Sequence, residues 1–394
     1  MNKKNKKILV VSSKFPDEYS GSGLRAYNTY RRLEKKYGIQ WDVVSNSISY
    51  QGNTKYKFEG KDVYRISSPF KVNQKNKILH KIAIIFSIFW ETFFVLFFVF
   101  KNEKKYNLLH TFGNTWSIGV FTLYFSFKGK PIIRELVNDM KTPFYPVQMK
   151  KYIYKVFKKS NTLCIAISVK LKVLLDKFEL YNTWQRPNPI DEYKFFIDYD
   201  NKTKLRNKLT KFAIDDNIIV SIATFLDRKN QLFLVEVLDK LPFTYKLILA
   251  GPVKKEHFDY FNFLVEKIES LGLNDRVEIN NQFVTNIDEY MKLSDIFLFP
   301  SKSEGLGTPI LEAQACGVPV VSNLLENITN TEIIEGEGGY CSSLDPKEFA
   351  EKIQLALKIP KETLIKNAEF IKNRASTKVI DEEYFKRIKE LLND

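Results

Sequence analysis

At 394 residues, with 44% hydrophobic and 27% charged side chains, the chain is too long for one ordinary core and too apolar for long disorder, so two folded domains are expected. The net charge of +15 is uneven. Residues 1–190 carry 34 Lys and Arg against 12 Asp and Glu, a net +22; residues 191–394 carry 27 against 34, a net −7. That asymmetry argues for one domain facing an anionic surface and against a uniformly basic nucleic-acid binder, for which no module is recognisable.

Cys164, Cys316 and Cys341 are far apart, as are His80, His110 and His257; this spacing gives neither a disulfide framework nor an ordinary zinc site. The basic start, Met1 to Lys7, precedes an apolar run, Ile8 to Val11, too short for a signal-peptide core, and a cytoplasmic protein is expected.

In chain order, Lys7 to Ser13 reads as a buried strand, Leu24 to Tyr37 as a helix and Trp41 to Ser45 as a strand. Asn107 to His110, Lys130 to Arg134 and Thr162 to Ile167 read as further strands between helical stretches. Gly21-Ser-Gly23 lies between a strand and a helix, as a phosphate loop does, without the third glycine of the dinucleotide fingerprint; a flexible turn is the plain alternative. Ile82 to Phe100 is 19 residues long with Glu91 as its only charge. Its length touches that of a membrane span. A span would carry the next strand away from its sheet and set Glu91 in lipid. A core helix and an interfacial helix remain, the second favoured by Lys71, Lys75, Lys77, Lys81, Lys101, Lys104 and Lys105, so an anionic membrane surface is an expected partner of residues 71–105.

The pattern slackens from Asn188 to Lys208 and restarts: strand Asn217 to Ala223, helix Arg228 to Leu241, strand Tyr245 to Ala250, strand Asp295 to Pro300, helix Thr308 to Cys316, strand Val318 to Val321, and a final helix, Ala375 to Leu392. The βαβα rhythm implies two Rossmann-like α/β domains with parallel sheets, residues 1–192 and 193–372, followed by a C-terminal helix in 373–394 packing back toward the first domain. Ligands of such sheets sit beyond the carboxyl ends of the strands, so a shared cleft is the expected active site.

The segment from Pro300 to Glu312 carries the chemistry. A strand ends at Pro300, and a helix is expected to start with Thr308 as N-cap and Pro309 in the first turn. Gly305 and Gly307 permit close backbone approach, and the amides of Leu306, Gly307 and Thr308 would offer an anion site to a diphosphate. Glu312, about one turn in, is placed to accept hydrogen bonds from a ribose diol; Glu304 precedes the helix, where it could orient the hydroxyls of a sugar. A connection with two surface glutamates is the plain alternative.

Ser303 to Val321 closely resembles the Glu-x7-Glu donor motif of retaining glycosyltransferases of family 4, which have the GT-B fold: two Rossmann-like domains facing each other across a cleft. Leu293 to Ser301, Pro187 to Asp191, Leu247 to Gly251 and Gly21 to Gly23 match other family segments in order. The resemblance implies transfer of a hexose-type sugar from a nucleotide diphosphate-sugar to a glycan or lipid-linked acceptor in polysaccharide or glycoconjugate synthesis, with no metal or other cofactor. It also implies site residues. Glu312 would hold the ribose, Glu304 the donor sugar, and the Gly305 to Thr308 backbone the distal phosphate or sugar. Lys229 would neutralise the diphosphate, and Gly251 and Val284 would line the nucleotide. Gly21, Gly23 and Arg25 would approach donor phosphates or an anionic acceptor. Two departures stand out: Ala223-Thr224 replaces the family's Gly-Arg, with Arg228 a candidate replacement charge, and Glu135 lies near the position of the family's N-domain histidine, beside the reacting sugar, which makes it a candidate catalytic residue; a salt-bridged surface glutamate is the plain alternative. The alternatives are a GT-B enzyme of another class, such as a sugar-nucleotide epimerase or phosphorylase, and a non-enzymatic membrane or nucleic-acid binder.

Overall fold

A computed structural model describes residues 6–16, 18, 20–46, 52–70, 76–136, 154 and 161–393. The chain forms two compact units. The first comprises Met1–Ile167, Leu171–Arg186 and Asp381–Asp394; the second comprises Ser168–Lys170 and Pro187–Ile380. Lys71, Lys75 and residues 137–139 of the stretch after Glu135 lie outside the described residues.

In the first unit the described elements begin with β1 (Lys7–Ser12), α1 (Gly21–Tyr37), β2 (Gln40–Asn46), β3 (Thr54–Phe58), β4 (Lys61–Ile66) and α2 (Lys77–Asn102). They continue with β5 (Leu108–Phe112), α3 (Trp116–Phe127), β6 (Ile132–Leu136), β7 (Thr162–Ala166), α4 (Val169–Lys177, which belongs to this unit from Leu171) and β8 (Thr183–Gln185). The sheet order is β3-β4-β2-β1-β5-β6-β7-β8. All neighbours are parallel except β3 and β4, an antiparallel hairpin at the edge. Sequence reading misses this hairpin because its turn is Glu59-Gly60, both at positive φ, where an Asn-Gly or Asp-Gly pair would announce it. Leu9 and Val11 of β1, Val44 of β2 and Leu109 of β5 pack with Val95 and Val99 of α2 and Ile118 and Phe121 of α3.

The second unit holds α5 (Lys202–Leu209), β9 (Asn217–Ile222), α6 (Gln231–Lys240), β10 (Tyr245–Ala250), α7 (Phe258–Ser270), β11 (Val277–Asn280) and α8 (Ile287–Leu293). It continues with β12 (Ile296–Phe299), α9 (Thr308–Ala315), β13 (Val320–Asn323), β14 (Gly339–Ser342), α10 (Pro346–Ala356) and α11 (Lys361–Ala375). Its parallel sheet runs β11-β10-β9-β12-β13-β14. Ile218 and Val220 of β9 enter one buried cluster and Ile219 the other. Successive residues point to opposite faces, and both faces are covered, which is why these strands read as unbroken apolar runs. The last helix, α12 (Thr377–Leu392), starts in the second unit and from Asp381 belongs to the first.

Candidate functional site

The site of the second unit is built where β12 ends. Its four residues are buried, and the chain turns through Pro300 to Gly307 into α9. The expected cap is displaced by one residue: Gly307 is the N-cap, Thr308 opens the helix and Pro309 follows. The Thr308 hydroxyl accepts a hydrogen bond from Asn188 Nδ2 at 2.9 Å, which turns it away from the helix end. Gly307 has no side chain to cap with, and a Cβ there would meet Ile310 Cδ1 at 2.5 Å. Among the described residues the amides of Leu306, Gly307 and Thr308 therefore donate to no protein acceptor. Free amides at a helix start, with the helix dipole behind them, make an anion site.

Facing this turn is the loop after β9. A helix from Arg228 is expected from sequence, but Asp227–Lys229 is a single 3-10 turn and Asn230, at φ 59°, starts α6 only at Gln231. That tight turn brings both cations onto one carboxylate. Lys229 Nζ lies 2.6 Å and Arg228 Nη1 2.9 Å from Glu304 Oε1. Arg228 Nη1 also donates to the Ser303 carbonyl at 2.6 Å, and the Lys302 amide donates to the Arg228 carbonyl at 2.9 Å. Arg228 thus points the same way as Lys229. Glu304 is nearly enclosed, whereas Arg228 is half exposed.

Glu312 is partly buried. Burial pushes its carboxyl up to about 7, against the opposing pull of the Lys194 charge. Lys194 Nζ is itself held by the Thr285 carbonyl at 2.8 Å. Asn188 and Lys194 are site neighbours that sequence reading assigns no role. They lie more than a hundred residues before α9, and only the family-like stretch Pro187 to Asp191 hints at one of them.

Gly251, at φ +145°, ends β10 so close to the preceding loop that a Cβ would stand 2.1 Å from the Ala223 carbonyl oxygen. Its role is a close backbone crossing that only glycine permits. The Val284 side chain is buried beside Tyr290 in the core, which leaves its backbone as the part able to meet a ligand.

The first unit corrects three expectations. Gly21 and Gly23 do not form a loop; they are the first turn of α1, capped by Ser20, whose Oγ accepts from the Gly23 amide at 2.9 Å. Gly23 is required because a Cβ would press on the Lys14 carbonyl at 2.4 Å. Arg25 does not reach outward: its Nε forms an ion pair with Glu135. Glu135 is neither a surface residue nor an open carboxylate. It lies buried near the end of β6, with Oε2 accepting from Arg186 Nη2 at 2.7 Å and Tyr384 Oη at 2.7 Å. Burial would raise its carboxyl, but the Arg186 and Arg25 charges prevail and hold it at about 2. Beside it His110 receives or donates a 2.8 Å bond to Tyr30 Oη through Nδ1, and burial lowers its imidazole to about 3, leaving it neutral. Sheet geometry makes this cluster, and no sequence motif marks it.

Among the described residues no group of three or more His, Cys, Asp or Glu stands close enough to hold a metal ion.

Residues 201–376 match the family model of glycosyl transferases group 1. The matched segment lies within the second unit. Arg228, Lys229, Glu304 and Glu312 lie inside it. Over 191 residues the chain is 24% identical to the capsular polysaccharide biosynthesis glycosyltransferase CapH of Staphylococcus aureus, covering 48% of this chain and 53% of CapH. Over 168 residues it is 30% identical to the serotype-specific mannosyltransferase WbdA of Escherichia coli, covering 41% of this chain and 20% of WbdA. The matched region is thus about half the length of the first relative and a fifth of the second. The fold is GT-B: Anabaena Alr3699/HepE, solved in complex with UDP, superposes with a TM-score of 0.75 at 18% identity, covering 98% of this chain and 100% of that one. WaaG, a glycosyltransferase of lipopolysaccharide biosynthesis, superposes with a TM-score of 0.60 at 14% identity, over 93% and 95% of the two chains.

Proposed function

We propose that the chain transfers a hexose-type sugar from a nucleoside diphosphate-sugar to a glycan or lipid-linked acceptor at the cytoplasmic side of the cell membrane, with retention of anomeric configuration and without a metal, in surface polysaccharide or glycoconjugate synthesis. One observation carries this reading. The undonated amides of Leu306 to Thr308, the Lys229 and Arg228 cations on Glu304, and the unsatisfied Glu312 carboxyl all belong to one strand–loop–helix connection and the loop beside it. The names of CapH and WbdA and the UDP in HepE support the reaction class and the donor.

Each group then has work suited to its chemistry. The bond between the anomeric carbon and the distal phosphate oxygen breaks, the acceptor hydroxyl oxygen bonds to that carbon, and its proton leaves with the departing diphosphate. Negative charge grows on the phosphate, where Lys229, Arg228 and the helix-start amides stabilise it without reorganising, an electrostatic arrangement that usually supplies the largest share of catalysis. Glu304, released from its cations by the phosphates, is left to accept from sugar hydroxyls. Glu312 accepts from the ribose diol. The family resemblance supports retention.

The test is a thermal-shift screen of UDP-, GDP- and ADP-sugars, followed by transfer assays with and without chelator and assignment of the product anomer. Lys229→Met is expected to lower kcat/KM by about 10²–10³-fold, as removal of a charge-stabilising donor does elsewhere. Glu312→Ala is expected to weaken the nucleoside diphosphate by about 10–100-fold, as loss of hydrogen bonds to a charged group does. Unchanged donor affinity in the Glu312 variant would refute the site.

A further inference from the structure

We propose that the first unit docks on an anionic phospholipid bilayer through the outer face of α2, lying in the interface without crossing it. Ile82, Phe86, Phe89, Phe93, Phe97 and Phe100 recur every three or four residues along one stripe of this helix, and each is between 43% and 68% exposed. Phe70, 37% exposed, widens the stripe through its ring contact with Phe86, with centroids 5.5 Å apart. A contiguous aromatic face of this size is rare on a surface that meets only water.

The opposite face is satisfied by protein. Val95 and Val99 are buried against the sheet and α3. Glu91 is turned to this inner side, where Ser117 Oγ donates to its Oε2 at 2.6 Å, and Trp116 Nε1 donates to Thr92 Oγ1 at 2.7 Å. The outer stripe therefore carries no acid. Lys77 and Lys81 stand at one end of it and Lys101 and Lys104 at the other, all four without an ion-pair partner among the described residues. An apolar stripe ended by unpaired lysines is complementary to acyl chains beneath anionic headgroups.

Two other occupants fit less well. By length and composition the helix could cross a bilayer. However, it connects β4 to β5 of one sheet, and a span would strip its bonds to α3 and drag Glu91 into lipid. A second copy packed face to face would bring lysine ends against lysine ends, which repel.

The proposal is independent of the donor chemistry, and one experiment separates the two. The full chain is floated with vesicles of phosphatidylcholine, with and without phosphatidylglycerol, at low and high salt, while donor binding is followed by thermal shift on the same samples. The wild type is expected to float with the phosphatidylglycerol vesicles and to lose binding as salt rises. The triple variant Phe89→Ser, Phe93→Ser, Phe97→Ser is expected to partition at least about 100-fold less, from the apolar area it withdraws, with its melting temperature and donor shift retained. Lys77→Glu with Lys81→Glu is expected to abolish the preference for phosphatidylglycerol, each lysine having favoured the anionic surface about 5-fold. Wild-type protein that stays with the soluble fraction at low salt overturns the proposal. So does a solution dimer that the triple variant dissociates, or membrane-bound protein that resists alkaline extraction as a span does.

Discussion

Glu312 sits on α9 with a carboxyl that burial raises to about 7 and that receives no side-chain hydrogen bond among the described residues. The sign of its effect follows from linkage. Its ordinary value is 4.5, so the unfolded chain gives up this proton before the folded one does. Stability is lost as pH rises from about 4.5 through about 7 and stays lost above. Glu312→Gln should therefore melt higher than wild type above about pH 7, by about 2–4 °C, and match it near pH 4.5. This corresponds to roughly 1 kcal/mol once solvent around the partly exposed side chain is allowed for. Melting curves of the ligand-free pair across that range decide it. The same variant should bind donor more weakly, and the wild-type affinity should fall as pH drops below about 7, because a protonated acid accepts less well. A residue that costs stability when empty and binds when filled is what a ligand site produces.

At the scale of elements, the candidate site depends on two close approaches. Gly251 at the end of β10 passes the Ala223 carbonyl, and Gly307 passes Ile310. Gly251→Ala meets backbone at 2.1 Å and a φ of +145°, neither of which a flexible side chain can relieve. It is expected to cost about 2–4 kcal/mol in denaturant unfolding, with donor binding lost in parallel. An unchanged unfolding midpoint would show that the crossing is not held. The 3-10 turn at Asp227–Lys229 belongs to the same scale. Periodicity alone extends the helix back to Arg228, whereas Asn230 at positive φ stops it at Gln231 and so aims both cations at Glu304. An asparagine tolerates that conformation, but sequence does not say when it adopts it.

For the molecule as a whole, the chain leaves the first unit after Arg186 and rejoins it at Asp381. The return is fastened by buried charge. Arg186 and Tyr384, from either side of the excursion, meet on Glu135 with Arg25, and Asp381 takes Arg32 through two bonds of 2.6 and 2.9 Å. Glu135→Gln should remove the buried carboxylate that Arg25 and Arg186 share and destabilise the protein by about 3–5 kcal/mol, read from denaturant unfolding. Acid acts on this cluster in the opposite sense to its action on Glu312. Glu135, held at about 2, contributes stability above its ordinary 4.5 that is lost as pH falls toward 2. His110, lowered to about 3 from 6.5, adds a loss that begins as pH drops below about 6.5. His110→Gln is expected to flatten that first acid limb in melting-temperature profiles; an unaltered limb would assign it to another group.

The sequence by itself determined the two-unit α/β plan, because strands buried on both faces leave unbroken apolar runs and the helices between them keep their period. It also determined the candidate site's strand–loop–helix connection, because Glu304, Gly305, Gly307, Thr308, Pro309 and Glu312 are neighbours in the chain and their spacing is local. What the tertiary structure decided is every role that depends on distant residues meeting. Asn188 draws the Thr308 hydroxyl from the cap, and Lys194 comes near Glu312. Glu135 is enclosed by partners from α1, from the chain after β8 and from α12, a meeting that no local spacing announces. The hydrophobic helix was visible as composition, but its direction was not: only packing against α3 shows Glu91 inside and the phenylalanine stripe outside. Periodicity specifies that a face exists, and the neighbours that cover or leave it specify which face it is.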